Sequence, residues 1–218
     1  MSPFDSPVAL ELGPARLGGQ LTLPDAAVGI VLFAHGSGSS RFSPRNGYVA
    51  RVLQRAGIAT LLFDLLTREE DSVYATRFDI ALLTERLLAA TRWLADRPDT
   101  ARLPIGYFGA STGAAAALQA AAALGDGVAA VVSRGGRPDL AGPQALSRVR
   151  CPTLLLVGGL DGDVIRLNES ALSRLACTKA LCIVPGATHL FDEPGTLEEV
   201  ADEAGRWFLR YLPAQGTA

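Results

Sequence analysis

Residues 105–118 read Ile-Gly-Tyr-Phe-Gly-Ala-Ser-Thr-Gly-Ala-Ala-Ala-Ala-Leu, an apolar run, a small-residue turn, then an alanine-rich run. Apolar residues from 103 to 109 suit a buried strand, and residues 114–124 suit a helix. Between them stands Gly109-Ala110-Ser111-Thr112-Gly113, a Gly-x-Ser-x-Gly pentapeptide. A strand that turns sharply into a helix at such a serine lifts its hydroxyl above the sheet edge as a nucleophile. Glycines two before and two after let strand and helix pack closely enough for that turn. Ser111 as a plain helix N-cap is the competing reading. A serine nucleophile needs a base, and the chain has two histidines, His35 and His189.

Working outward, the same strand-then-helix alternation recurs. Residues 28–34 (VGIVLFA) form a continuous apolar run, as a strand buried on both faces requires. Further strands are expected at 58–64, 128–133, 153–158 and 180–184, with helices at 46–56, 77–96, 164–176 and 196–211. Before them, 8–12 and 16–23 read as an antiparallel pair turning at Gly13-Pro14. The expectation is α/β: one domain over residues 1–218, a mostly parallel twisted sheet with helices on both faces. No insertion long enough for a large lid follows the 128–133 strand.

Composition narrows the function classes. The chain has 218 residues, 49% hydrophobic and 19% charged, with net charge −2. That describes a well-buried globular protein, with neither nucleic acid nor membrane expected as a partner. Residues 1–5 lack the basic, then apolar, pattern of a secretory leader. Cys151, Cys177 and Cys182 are odd in number and lack metal-ligand spacing, so they are expected to be reduced, buried thiols of a cytoplasmic protein. No metal and no cofactor is expected. The strands near the N-terminus are either covered or pair with a second copy as a homodimer.

In a doubly wound sheet, functional groups gather at the carboxyl ends of strands. Ser111, Asp161 and His189 each follow a predicted strand. They are the expected catalytic nucleophile, orienting acid and base. Asp163 and Asp192 are the rival acids. The expected oxyanion hole combines the backbone N–H groups of Ser37 and Thr112, the Thr112 side chain being incidental. His35 is expected to hold that loop by hydrogen bonding, and is also a candidate for substrate binding. Arg41, Arg45, Arg134 and Arg137 leave strand ends as well. Arg41 and Arg134 are the candidates for binding an anionic substrate group; the alternative is that these arginines pair with Asp64, Glu69, Glu70 or Asp139 and hold loops together.

Four segments together carry a family resemblance: 34–41 (AHGSGSSR), 109–113 (GASTG), 158–161 (GGLD) and 186–189 (GATH). On them the chain resembles the α/β-hydrolase superfamily, close to its dienelactone-hydrolase-like branch. The resemblance implies acyl transfer through an acyl-serine, with a small-molecule ester as substrate. Thioesters and lactones share that chemistry. Dienelactone hydrolases proper carry cysteine at the elbow, where this chain has Ser111. Residues 39–46 and 133–140 also resemble small hydrolases that occur fused to a phosphoribosyltransferase domain, a domain with no counterpart in this sequence. The alternatives are an acyltransferase using the same acyl-serine and a non-catalytic ligand-binding protein of the same fold.

Overall fold

A computed structural model describes residues 4–213. Its strands are β1 (Phe4–Leu12), β2 (Ala15–Leu23), β3 (Ile30–Ala34), β4 (Ala59–Phe63), β5 (Ile105–Ala110), β6 (Ala130–Arg134), β7 (Thr153–Gly158) and β8 (Lys179–Val184). They form one sheet in the order β1-β2-β4-β3-β5-β6-β7-β8. The β1/β2 and β2/β4 pairs are antiparallel; every other pair is parallel. The expected α/β architecture is therefore present, with β5 near the middle. β3 and β4 are buried throughout and β5 nearly so, which explains their unbroken apolar character.

The helices are α1 (Pro44–Arg55), α2 (Arg68–Ser72), α3 (Ile80–Ala95), α4 (Thr112–Leu124), α5 (Pro143–Arg148), α6 (Gly162–Arg174) and α7 (Thr196–Tyr211). Two hydrophobic layers result. One joins α3 and α4 to the sheet through residues such as Leu83, Leu87, Leu118 and Tyr107. The other joins α1 and α7 to the opposite face through Leu53, Phe33, Phe108 and Phe208. Burying a Leu or Phe side chain contributes about 1.5–3 kcal/mol, so these layers hold the sheet edge still enough to aim loops.

α7 spans the expected residues. α3 begins at Ile80 rather than residue 77, because Asp79 accepts from Leu82 N–H as its N-cap and residues Tyr74–Phe78 form a 3₁₀ turn before it. Two short helices escaped the sequence reading. α2 is set by a capping box between Thr67 and Glu70, and α5 by Pro143 at its start. Cys151 is buried and Cys177 and Cys182 half-buried, all as free thiols; burial pushes the Cys151 thiol up to about 12. Among the described residues no helix is long and apolar enough to cross a membrane, and no cluster of His, Cys, Asp or Glu is placed to hold a metal.

Candidate active site

β5 ends at Ala110, α4 begins at Thr112, and the turn between them is Ser111 alone. Its backbone lies at φ 50°, ψ −119°, a conformation L-residues rarely adopt and that costs on the order of 1–3 kcal/mol. The flanking glycines show what the turn demands. A Cβ on Gly109 would stand 2.5 Å from Ala114 Cα, and one on Gly113 would strike the Ala34 carbonyl oxygen. Ser111 occupies the N-cap position of α4 without capping it, so its hydroxyl is not used by the helix. Its N–H donates to the Arg134 carbonyl at 3.3 Å, and its carbonyl accepts from Arg137 N–H at 3.0 Å.

His189 and Asp161 are brought together from loops after β8 and β7. His189 Nδ1 lies 2.6 Å from Asp161 Oδ2. A carboxylate only accepts, so Nδ1 carries a proton, and in the neutral imidazole Nε2 is then the acceptor. Asp161 is 16% exposed at the side chain and His189 39%, which leaves the imidazole reachable and its partner sheltered. Asp161 also stands at the N-cap position of α6 with no side-chain bond to it. The two rivals are occupied elsewhere: Asp163 pairs with Arg166, and Asp192 with Arg45.

The histidine loop is fixed by contacts with no obvious sequence signal. Leu160 N–H donates to the Ala187 carbonyl at 2.9 Å, tying the acid and base loops together. Phe191 is buried in the left-handed region at φ 58°, and Thr188 N–H donates to Glu193 Oε2 at 3.0 Å. Gly135, at φ 50°, passes beneath His189: a Cβ there would lie 3.2 Å from the His189 carbonyl oxygen and 3.5 Å from its Cε1. The Arg134-Gly135 peptide therefore links Ser111 to His189. Asn168 steadies it from α6, donating to the Gly136 carbonyl at 3.0 Å.

The loop after β3 runs against the elbow. A Cβ on Gly36 would stand 3.0 Å from Ser111 Cβ. The expected oxyanion arrangement needs correction here, because Ser37 N–H is not free: it donates to Thr112 Oγ1 at 2.9 Å. The Thr112 side chain, expected to be incidental, is therefore engaged. His35 has the expected holding role. Its Nε2 accepts from Leu65 N–H at 3.0 Å, and Nδ1 donates to the Gly36 carbonyl at 3.1 Å. With both nitrogens used, His35 has no ring nitrogen left to offer a substrate. Burial holds its pKa below the ordinary value.

Three of the four arginines pair with carboxylates. Arg41 is held by Asp64, through its N–H at 2.8 Å and its guanidinium. Arg137 makes two hydrogen bonds to Asp139, at 2.9 and 2.8 Å. Arg45 takes Asp192 at 3.1 Å. Arg134 is buried, with Asn46 Oδ1 at 3.4 Å and the Phe191 ring 5.9 Å away. Among the described residues its Nε and Nη1 have no hydrogen-bond partner. Burial lowers its pKa to about 10. Arg41, Phe42, Ser40 and His35 line a cavity of about 480 Å³ beside the Gly36 loop.

No family model matches the chain. A solved structure described as dienelactone hydrolase from Anabaena variabilis is 57% identical, with a TM-score of 0.94 over 97% of this chain and all of that one. A curated Mycobacterium tuberculosis protein, provisionally named a phosphoribosyl transferase, is 58% identical over 212 residues. Those residues are 97% of this chain and 48% of that protein, so the chain spans about half the length of the curated relatives it matches. A lidless α/β serine hydrolase from Xanthomonas campestris shares the fold at 24% identity, with a TM-score of 0.75 over 97% of this chain and 96% of its own.

Proposed function

This chain belongs to the dienelactone hydrolase family of α/β-hydrolases, and on that premise we propose that it cleaves small carboxylic esters through an acyl-serine. Thioesters and lactones fall within the same chemistry. The observation that carries the reading is the 2.6 Å pairing of His189 Nδ1 with Asp161 Oδ2, beside Gly135, whose neighbour Arg134 accepts from the N–H of the strained Ser111. Asp161 fixes the tautomer that leaves Nε2 free to accept the Ser111 proton.

Ser111 Oγ attacks the carbonyl carbon as its proton passes to His189 Nε2, and the carbonyl π pair moves onto oxygen. The Thr112 N–H, at the first turn of α4, is a donor for that oxyanion. Collapse breaks the bond to the alcohol oxygen, which leaves with the proton from His189. Water then attacks the acyl-serine, giving its proton to His189; collapse returns that proton to Ser111 and releases the acid.

The phosphoribosyl transferase name belongs to proteins about twice this length. The Gly36–Gly38 loop lacks the lysine and spacing of a phosphate-cradling loop. The test is intact-mass analysis after exposure to a small fluorophosphonate, followed by an ester and thioester panel. One adduct on the wild type and none on Ser111→Ala supports an activated serine. No adduct on folded protein overturns it.

A further inference from the structure

The Ser37–Thr112 contact joins two elements that the backbone alone does not connect. Residues 36–38 are glycine-rich, with Gly38 at φ 68°, and local bonds shape the loop: Ser39 N–H donates to the Gly36 carbonyl at 3.1 Å. His35 ties its base to the segment after β4. Among the described residues, Ser37 N–H to Thr112 Oγ1 is the one hydrogen bond from residues 35–40 to the Ser111–Thr112–Gly113 turn. Thr112 is buried, and with Ser37, Gly38 and Arg77 it lines a cavity of about 10 Å³.

We infer that the Thr112 hydroxyl is a positioning residue for catalysis, pinning the Ser37 amide to the elbow so that the Gly36 loop stays registered over Ser111. The inference rests on the acyl-serine reading above. A glycine-rich loop released from this contact samples more backbone conformations, and the close approach of Gly36 to Ser111 is no longer held at a fixed distance. The loss falls on the transition state. Ground-state binding, which does not call on the oxyanion geometry, is little affected.

The experiment compares wild type, Thr112→Val and Thr112→Ser in ester turnover and in the rate of fluorophosphonate labelling. Thr112→Val keeps the shape and removes the acceptor. The expected result is a kcat lower by about 10- to 100-fold with KM within about twofold, matched by slower labelling, and recovery to near wild type in Thr112→Ser. A Thr112→Val enzyme as fast as wild type, or faster, overturns the inference. So does an equal loss in Thr112→Ser, because the hydroxyl would not then be the cause. Should the valine variant fail to fold, Thr112→Ala carries the same comparison. Labelling of wild type with no effect of these variants sinks this inference alone. No labelling of wild type sinks the hydrolase reading and this inference with it.

Discussion

Asp161 Oδ2 lies 2.6 Å from His189 Nδ1, while the same aspartate leaves the N-terminus of α6 without a side-chain cap. An aspartate at an N-cap position usually accepts from the first turn, a bond that contributes about 0.5–2 kcal/mol. Here the carboxylate turns to the imidazole instead. Local helix stability has yielded to orientation of a side chain 28 residues away.

Asp161→Asn should lower kcat for ester hydrolysis by about 10³- to 10⁴-fold, because an amide nitrogen can donate to Nδ1 and favour the wrong tautomer. Asp163→Asn and Asp192→Asn, whose pairs are exposed, should stay within about twofold of wild type. Steady-state kinetics on one ester separates the three. An equal loss in Asp163→Asn would remove Asp161 from its assigned place.

Ser111→Gly and Ser111→Ala should both abolish turnover but differ in stability. Glycine accepts φ 50° without a Cβ penalty, whereas alanine keeps the strain. The glycine variant should be more stable by about 1 kcal/mol, a melting temperature about 2–4 °C higher than that of the alanine variant. Calorimetry on the pair decides it; equal melting temperatures would mean that the turn is not strained.

Gly113→Ala should destabilise the fold by about 3 kcal/mol or more, since its methyl would strike the carbonyl oxygens of Ala34 and His35, rigid backbone at the end of β3. Gly57→Ala supplies a contrast: no atom lies within 4 Å of its added methyl, and only its φ of 79° resists the change. Urea unfolding should rank the two clearly. A Gly113→Ala protein as stable as Gly57→Ala would contradict the close approach of α4 to β3.

His35 makes stability depend on pH. Burial lowers its folded pKa below the ordinary 6.5, so the unfolded chain takes up a proton first as pH falls. Its stability contribution is complete above about 6.5 and is lost as pH falls toward the folded value, with a slope of at most about 1.4 kcal/mol per pH unit. Chemical unfolding between pH 8 and 5 should show this decline, and His35→Gln should reduce it. An unchanged slope in His35→Gln would remove His35 as its source.

Much of this molecule was legible from local order along the chain. Strands buried on both faces must be continuous apolar runs, so 28–34 and 153–158 announced themselves, as did the glycine spacing around Ser111. The order Ser111, Asp161, His189 followed because each residue sits just past such a run. Short helices were less legible: α2 and α5, with five and six residues, are too brief for a periodic pattern and depend on single capping or proline positions. Which carboxylate meets His189, that Ser37 N–H is taken by a hydroxyl 75 residues away, and that Arg41 and Arg137 are held by Asp64 and Asp139 were choices among chemically equivalent partners. Burial pattern and turn chemistry are written into neighbouring residues and survive in a one-dimensional reading. Hydrogen bonds between separate loops depend on distances of a few ångströms that exist only once the sheet has assembled and carried those loops to its carboxyl edge.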